Sequence, residues 1–254
     1  MVKARALLFG LNYPNSSCKL NGCVQDVLNM ADMLVERIPG IQIRMCTDFR
    51  NCTETTGRSM IASIKQLAYQ SQAENLEFCL IHYSGHGTSV PDTNGDEADG
   101  MDECLVPSDY NSNGVITDDV LHELLTKFNR ETRVVFVCDA CHSGTILDLP
   151  FKWNNQKESE SVGQLDIPAN VLSISGCRDN QTSADAYNVL GDKRYSGALT
   201  SCLLQVMKTL DQQDSNNVFK IVKALQIKLA ECGFDQVPEL LSNYDLAAYP
   251  DLLN

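Results

Sequence analysis

Two nearly continuous apolar runs constrain this chain most: Leu76-Glu77-Phe78-Cys79-Leu80-Ile81-His82-Tyr83 and Arg133-Val134-Val135-Phe136-Val137-Cys138. Strand-length runs without hydrophobic–polar alternation belong to strands buried on both faces, hence to a parallel sheet with helices on either side. Each run ends in a short glycine-bearing polar string, Ser84-Gly85-His86-Gly87 after the first and Asp139-Ala140-Cys141-His142-Ser143-Gly144 after the second. In an open α/β sheet, ligands bind at the carboxyl ends of strands. If these two strands are neighbours, His86 and Cys141 emerge at one edge.

The remaining pattern alternates strand with helix, which predicts an α/β fold with a mostly parallel sheet covered on both faces. Residues 4–10 predict a first strand, and 22–38 a helix with an apolar stripe at Val24, Val27, Leu28, Ala31, Leu34 and Val35. A short strand at 41–46, a helix at 58–70 and the strand at 76–83 follow, then an acidic loop and a strand piece at 104–107. A helix over 118–128 opens with the acidic pair Asp118 and Asp119, and 133–138 is the next strand. Residues 151–166 are polar and unperiodic and read as a mobile linker between a front part, 1–150, and a rear part, 167–254. The rear part predicts a strand at 170–175, a polar loop over 176–194, helices at 197–210 and 218–232, and a last strand near 236–241. A chain of 254 residues with no linker rich in Pro, Gly and Ser reads as one domain.

Composition narrows the partners. A formal net charge of −13 offers no basic stripe for nucleic acid or anionic membranes and favours basic peptides. The eleven cysteines are odd in number and several lie in apolar runs, which points to reduced thiols and a cytoplasmic setting. The apolar run at 6–9 is too short for a signal core or a membrane span.

A thiolate nucleophile needs a neighbouring imidazole that takes its proton and later returns it to the leaving amine. Cys141 differs from the other cysteines in sitting in a polar, glycine-bearing turn. Of the four histidines, His82 lies inside a strand run, His122 in a predicted helix, and His142 next to Cys141, where side chains diverge. His86, between two glycines that permit a sharp turn and close approach, is left as the base. A phosphatase loop would need Arg six residues after the cysteine, where Leu147 stands. Residues 92–103 place oxygen side chains at positions 1, 3, 5 and 12 of a calcium loop. Glu97 stands where an EF-hand needs Gly and no helix precedes it, so the stretch reads as a solvated acidic loop.

Four blocks together carry a resemblance: His82-Tyr-Ser-Gly-His-Gly87, Asp139-Ala-Cys-His-Ser-Gly-Thr145, Leu20-Asn-Gly-Cys-Val-Gln-Asp-Val27 and Ile174-Ser-Gly-Cys-Arg-Asp-Asn-Gln-Thr-Ser-Ala-Asp-Ala186. The chain resembles a metacaspase, a caspase-like cysteine protease of peptidase family C14, in a minimal form without a prodomain. The resemblance implies a caspase-like three-layer α/β/α sandwich with six or more strands, acting as a monomer. It implies Cys141 and His86 as catalytic dyad, with backbone N–H groups of Gly87 and Cys141 as oxyanion donors. It implies cleavage of peptides and proteins after Arg or Lys, with Asp26, Asp139, Cys23 and Ser84 lining the pocket. A desolvated carboxylate pair is costly unless a cation fills it, which agrees with that preference. The resemblance also implies Ca2+ held by Asp102, Asp118, Asp119 and Asp148, and self-cleavage at Lys152 or Lys157 in the linker. The competing expectations are a catalytically weak caspase-like scaffold and a calcium-responsive regulatory module.

Overall fold

The computed structural model describes residues 2–49, 52–93, 95, 100–141, 143–154, 157–161, 166–176, 185–187, 195–211 and 214–252. Strands β1 (Ala4–Gly10), β2 (Gln42–Thr47), β3 (Phe78–Ser84), β7 (Arg133–Asp139) and β10 (Asn170–Ser175) pair in parallel in the order β2-β1-β3-β7-β10. Antiparallel strands β13 (Glu239–Ser242), β8 (Phe151–Asn154) and β9 (Lys157–Ser161) continue the same sheet beyond β10. The eight strands thus form one surface through both sequence halves.

The continuous apolar runs are explained by two cores, one on each face. Helices α1 (Cys23–Arg37), α5 (Ala198–Thr209) and α6 (Val218–Glu231) cover the face carrying Ala6, Leu8, Leu80, Val135 and Leu172. Helices α2 (Gly57–Ala73) and α4 (Asp118–Leu125) cover the other, with Leu7, Phe9, Ile81, Phe136 and Val171. Each large apolar side chain fully buried this way contributes on the order of 1.5–3 kcal/mol. Helix ends follow local chemistry: Thr56 Oγ1 caps α2 by accepting from Ser59 N–H, and Asn217 Oδ1 caps α6 by accepting from Lys220 N–H.

Two segments differ from the sequence expectation. Residues 151–154 and 157–161 are not a structureless linker but a β-hairpin docked on β13, where Trp153 Nε1 donates to Ser242 Oγ at 2.7 Å. Trp153 supplies the packing, its ring 5.9 Å from that of Phe219, with the Phe151 ring 6.4 Å from Trp153. The acidic stretch is likewise flanked by strands: β4 (Gly87–Pro91) and β5 (Met101–Leu105) pair across it, and β6 (Ile116–Thr117) completes a small sheet beyond the tip of β3. Its last residues are not solvated, since Asp102 and Glu103 are buried. A short helix α3 (Tyr110–Asn113) precedes β6, and a hairpin of β11 (Asp185–Tyr187) and β12 (Tyr195–Gly197) leads into α5.

Candidate active site

Strands β3 and β7 run side by side with Ser84 opposite Asp139, and Gly85 N–H donates to the Asp139 carbonyl at 3.3 Å. The chain leaves both strands at one edge, so His86 and Cys141, each two residues past that register pair, stand at adjoining tips. A side-chain carbon at Gly87 would overlap the Cys141 carbonyl and sit 3.2 Å from Ala140 Cβ. Glycine is required here because the two turns touch backbone to backbone. Both His86 and Cys141 are half-buried.

The imidazole is oriented by a group that leaves no trace in the sequence. His86 Nε2 lies 2.5 Å from the carbonyl oxygen of Cys18. A carbonyl only accepts, so Nε2 carries the proton and Nδ1 is the basic nitrogen. His82, as expected, is a core residue: fully buried in β3, its Nε2 is 3.1 Å from Thr200 Oγ1, and desolvation lowers its pKa to about 3, which keeps it neutral. His122 in α4 has Nδ1 against the Leu147 carbonyl at 3.0 Å and Nε2 against Asp166 Oδ1 at 2.6 Å, a structural tie rather than a base. His142 lies outside the described residues.

The four expected pocket residues converge behind this edge. Asp26, in the first turn of α1, does not face solvent: it is 0% exposed, and its Oδ2 accepts from Ser84 Oγ at 2.7 Å and from Gly197 N–H at 2.9 Å. Asp139, 3% exposed, accepts from Thr200 N–H at 2.8 Å. A carbon on Gly197 would overlap Asp139 Oδ2 and lie 2.9 Å from Asp26 Oδ2, so both carboxylates abut one glycine. Cys23, also buried, begins α1 against Gly10. The premise that such a pair needs a cation is revised by this geometry. The amino end of α5 supplies N–H groups and the positive end of its dipole to both acids. Sequence reasoning missed Gly197 and Thr200; a glycine before an apolar helical run was the available signal.

The four carboxylates expected around calcium are placed near the same edge without forming a cage. Asp118 Oδ2 accepts from Glu103 N–H at 2.5 Å and its Oδ1 from Asp119 N–H at 2.9 Å, while Thr145 Oγ1 donates to Glu103 Oε2 at 2.5 Å. Burial, then the charges of Asp118, Asp102 and Glu103, push the Cys104 thiol up to about 12. Asp148 stands in the turn after Cys141 with φ 48°. The oxygen donors suit a hard cation in kind. Among the described residues, however, no three His, Cys, Asp or Glu side chains are gathered to hold a metal ion.

A thiol and a tautomer-fixed imidazole at adjoining strand tips are the equipment of a cysteine-type hydrolase. Comparison with known proteins agrees. The metacaspase peptidase C14 family model matches residues 4–150. Metacaspase-2 of Trypanosoma brucei brucei is 32% identical over 255 residues, covering 93% of this chain and 72% of that protein. A protein named inactive metacaspase-4 from the same organism is 31% identical, covering 93% and 70%. A crystal structure of a protein from Geobacter sulfurreducens superposes with a TM-score of 0.70 at 28% identity, covering 98% of this chain and 97% of that one. The chain belongs to the metacaspases, cysteine-type peptidases of caspase-like fold. No helix among the described residues is long and apolar enough to cross a membrane.

Proposed function

We propose that the protein is an endopeptidase that cleaves after Arg or Lys with Cys141 as nucleophile and His86 as base. The observation that carries this reading is the His86–Cys141 pairing of strand tips, with Nε2–H held by the Cys18 carbonyl. Nδ1 takes the Cys141 proton, the sulfur attacks the scissile carbonyl carbon, and backbone N–H groups of Gly87 and Cys141 receive the oxyanion. The proton passes to the leaving amine, and water then hydrolyses the thioester, returning the thiol. Asp26 and Asp139 favour a cationic residue before the scissile bond, with Ser84 and Cys23 beside them.

Calcium enters this reading on donor chemistry alone: Asp102 and Asp118 are buried carboxylates whose charges, second to burial, both raise the Cys104 thiol, and a divalent cation shared with Asp119 and Asp148 would offset that negative charge. A monomer in the cytoplasm fits the remaining features. Strand β9 stands last in the order of the sheet's described strands, and the described cysteines are unbridged. Hydrolysis of short peptides differing only in the residue before the scissile bond tests the proposal, with calcium and with a chelator. Turnover is expected for Arg and Lys, and a chelator is expected to suppress it. Preference for Asp or Asn would overturn the pocket assignment, and full activity in metal-stripped protein would remove calcium.

Self-processing is expected at Lys157 rather than Lys152. The Lys152 ammonium is ion-paired at 2.8 Å to Glu239, whose carboxylate is buried, and the residue pairs with both β13 and β9. Presenting that bond would pull β8 out of the sheet and strand a buried charge, whereas Lys157 lies beside the hairpin turn on the edge strand. Mass spectrometry of fragments after incubation with calcium should find a new terminus at Glu158 and none at Trp153. The opposite pattern would reject this ranking.

A further inference from the structure

We infer that Tyr13, locked by Asp48, is the positioning residue that sets the His86 imidazole in place. This rests on the reading of His86 as the base and adds the part of the fold that aims it. The His86 peptide is bracketed by two buried phenols. Its N–H donates to Tyr13 Oη at 3.0 Å, and its carbonyl accepts from Tyr83 Oη at 2.7 Å and from Val106 N–H at 3.2 Å. The Tyr13 proton has its own acceptor, the Val106 carbonyl at 2.6 Å, so toward His86 this oxygen is an acceptor. Burial holds both phenols well above their ordinary titration range, so both keep their protons.

The ring is held as well as the backbone. The Tyr13 and His86 ring centroids are 4.8 Å apart with planes tilted by 33°. Tyr13 belongs to the same loop as Cys18, so one loop fixes the imidazole by its face and by Nε2. Gly85 supplies an independent sign that the hydroxyls occupy this space by requirement. A carbon there would lie 2.7 Å from Tyr83 Oη and 2.9 Å from Tyr13 Oη. The glycine before the histidine is therefore needed for the tyrosines, as the one after it is needed for Cys141.

Tyr13 adopts its position at a cost. Its φ is 49°, a left-handed conformation that non-glycine residues seldom take. The buried carboxylate of Asp48, just past β2, compensates by accepting from Asn12 N–H at 2.9 Å and Tyr13 N–H at 2.6 Å. A strained residue pinned by a buried acid beneath a half-buried imidazole is arranged for pre-organisation, since core packing alone needs neither the turn nor the hydroxyl.

The test uses the full chain with Tyr13→Phe and Asp48→Asn, alongside His86→Ala and Cys141→Ala as controls. Three quantities are read: kcat and KM on an arginine peptide, the rate of Cys141 alkylation by iodoacetamide followed by peptide mass spectrometry, and the melting temperature. Tyr13→Phe is expected to lower kcat about tenfold with KM within about twofold, and to slow alkylation of Cys141 in parallel. Asp48→Asn, which keeps the side-chain shape but offers a donor to one of two N–H groups, should move kcat the same way by a smaller factor. A Tyr13→Phe protein with the parent's kcat and alkylation rate overturns the inference, as does one in which only melting temperature or KM changes. Should that variant not fold, the Asp48→Asn pair of rates decides in the same manner. A His86→Ala protein that turns over the arginine peptide at the parent's rate instead sinks the reading of His86 as base, and a parent that fails to turn it over with calcium present sinks the arginine specificity.

Discussion

Cys141→Ala is expected to reduce kcat/KM on an arginine peptide by at least about 10⁴-fold, because it removes the thiol proposed to form the acyl intermediate. His86→Ala should fall into a similar range, with a base contribution of roughly 10²–10⁴ plus the loss of its hold on the Cys18 loop. The double variant is the sharper measurement. Residues acting as one unit lose activity together, so Cys141→Ala with His86→Ala should lose no more than Cys141→Ala alone. Fold is expected to survive: Cys141 is half-buried in a turn beyond the sheet, and trimming its sulfur should change stability by about 1 kcal/mol or less. Turnover and thermal unfolding on the same preparations check both halves. Substantial peptide hydrolysis by a folded Cys141→Ala protein would end the assignment. The point matters for this family, since one relative at 31% identity is named inactive. Family membership therefore leaves activity to the residues themselves.

The strands that position the dyad were legible because burial on both faces erases alternation: Leu80, Ile81, Val135 and Phe136 are all core, on alternate sides of one sheet. The same rule hid β8 and β9. Phe151-Lys-Trp-Asn alternates only over four residues, and Lys157-Glu-Ser-Glu-Ser is wholly polar in sequence, so composition alone reads both as linker. Within the candidate site, the side chains proposed to react were visible and the groups that orient them were not. His86 and Cys141 carry chemistry in their residue type. The Cys18 carbonyl, the Gly197 and Thr200 N–H groups and the left-handed turn at Tyr13 act through backbone, which any residue supplies. Glycine was the one partial signal. Gly85, Gly87 and Gly197 each mark a place where a side-chain carbon would strike a hydroxyl, a carbonyl or a carboxylate of the site.

Removing the charge of Asp139 while keeping its shape should separate specificity from architecture. The carboxylate accepts the Thr200 N–H in the first turn of α5 and lies against the same glycine as Asp26, so it caps the helix end and, in the proposed reading, would also face the substrate's cation. Asp139→Ala would confound the two by leaving that N–H buried without an acceptor. Asp139→Asn retains a carbonyl oxygen that can accept from Thr200, while it removes the charge and puts an NH2 donor where the second oxygen stood. Losing one partner of a buried charged contact costs about 2–5 kcal/mol, so kcat/KM on arginine and lysine peptides should fall roughly 30-fold or more. Stability should drop less, because a neutral acceptor forfeits only the dipole interaction, about 0.3–2 kcal/mol. The informative quantity is the ratio of rates for an arginine peptide and its glutamine counterpart: the variant should lose most of the parent's discrimination while Cys141 still alkylates normally. If that ratio is unchanged in a folded Asp139→Asn protein, the acid pair is a helix cap alone. The cation must then be recognised by other residues.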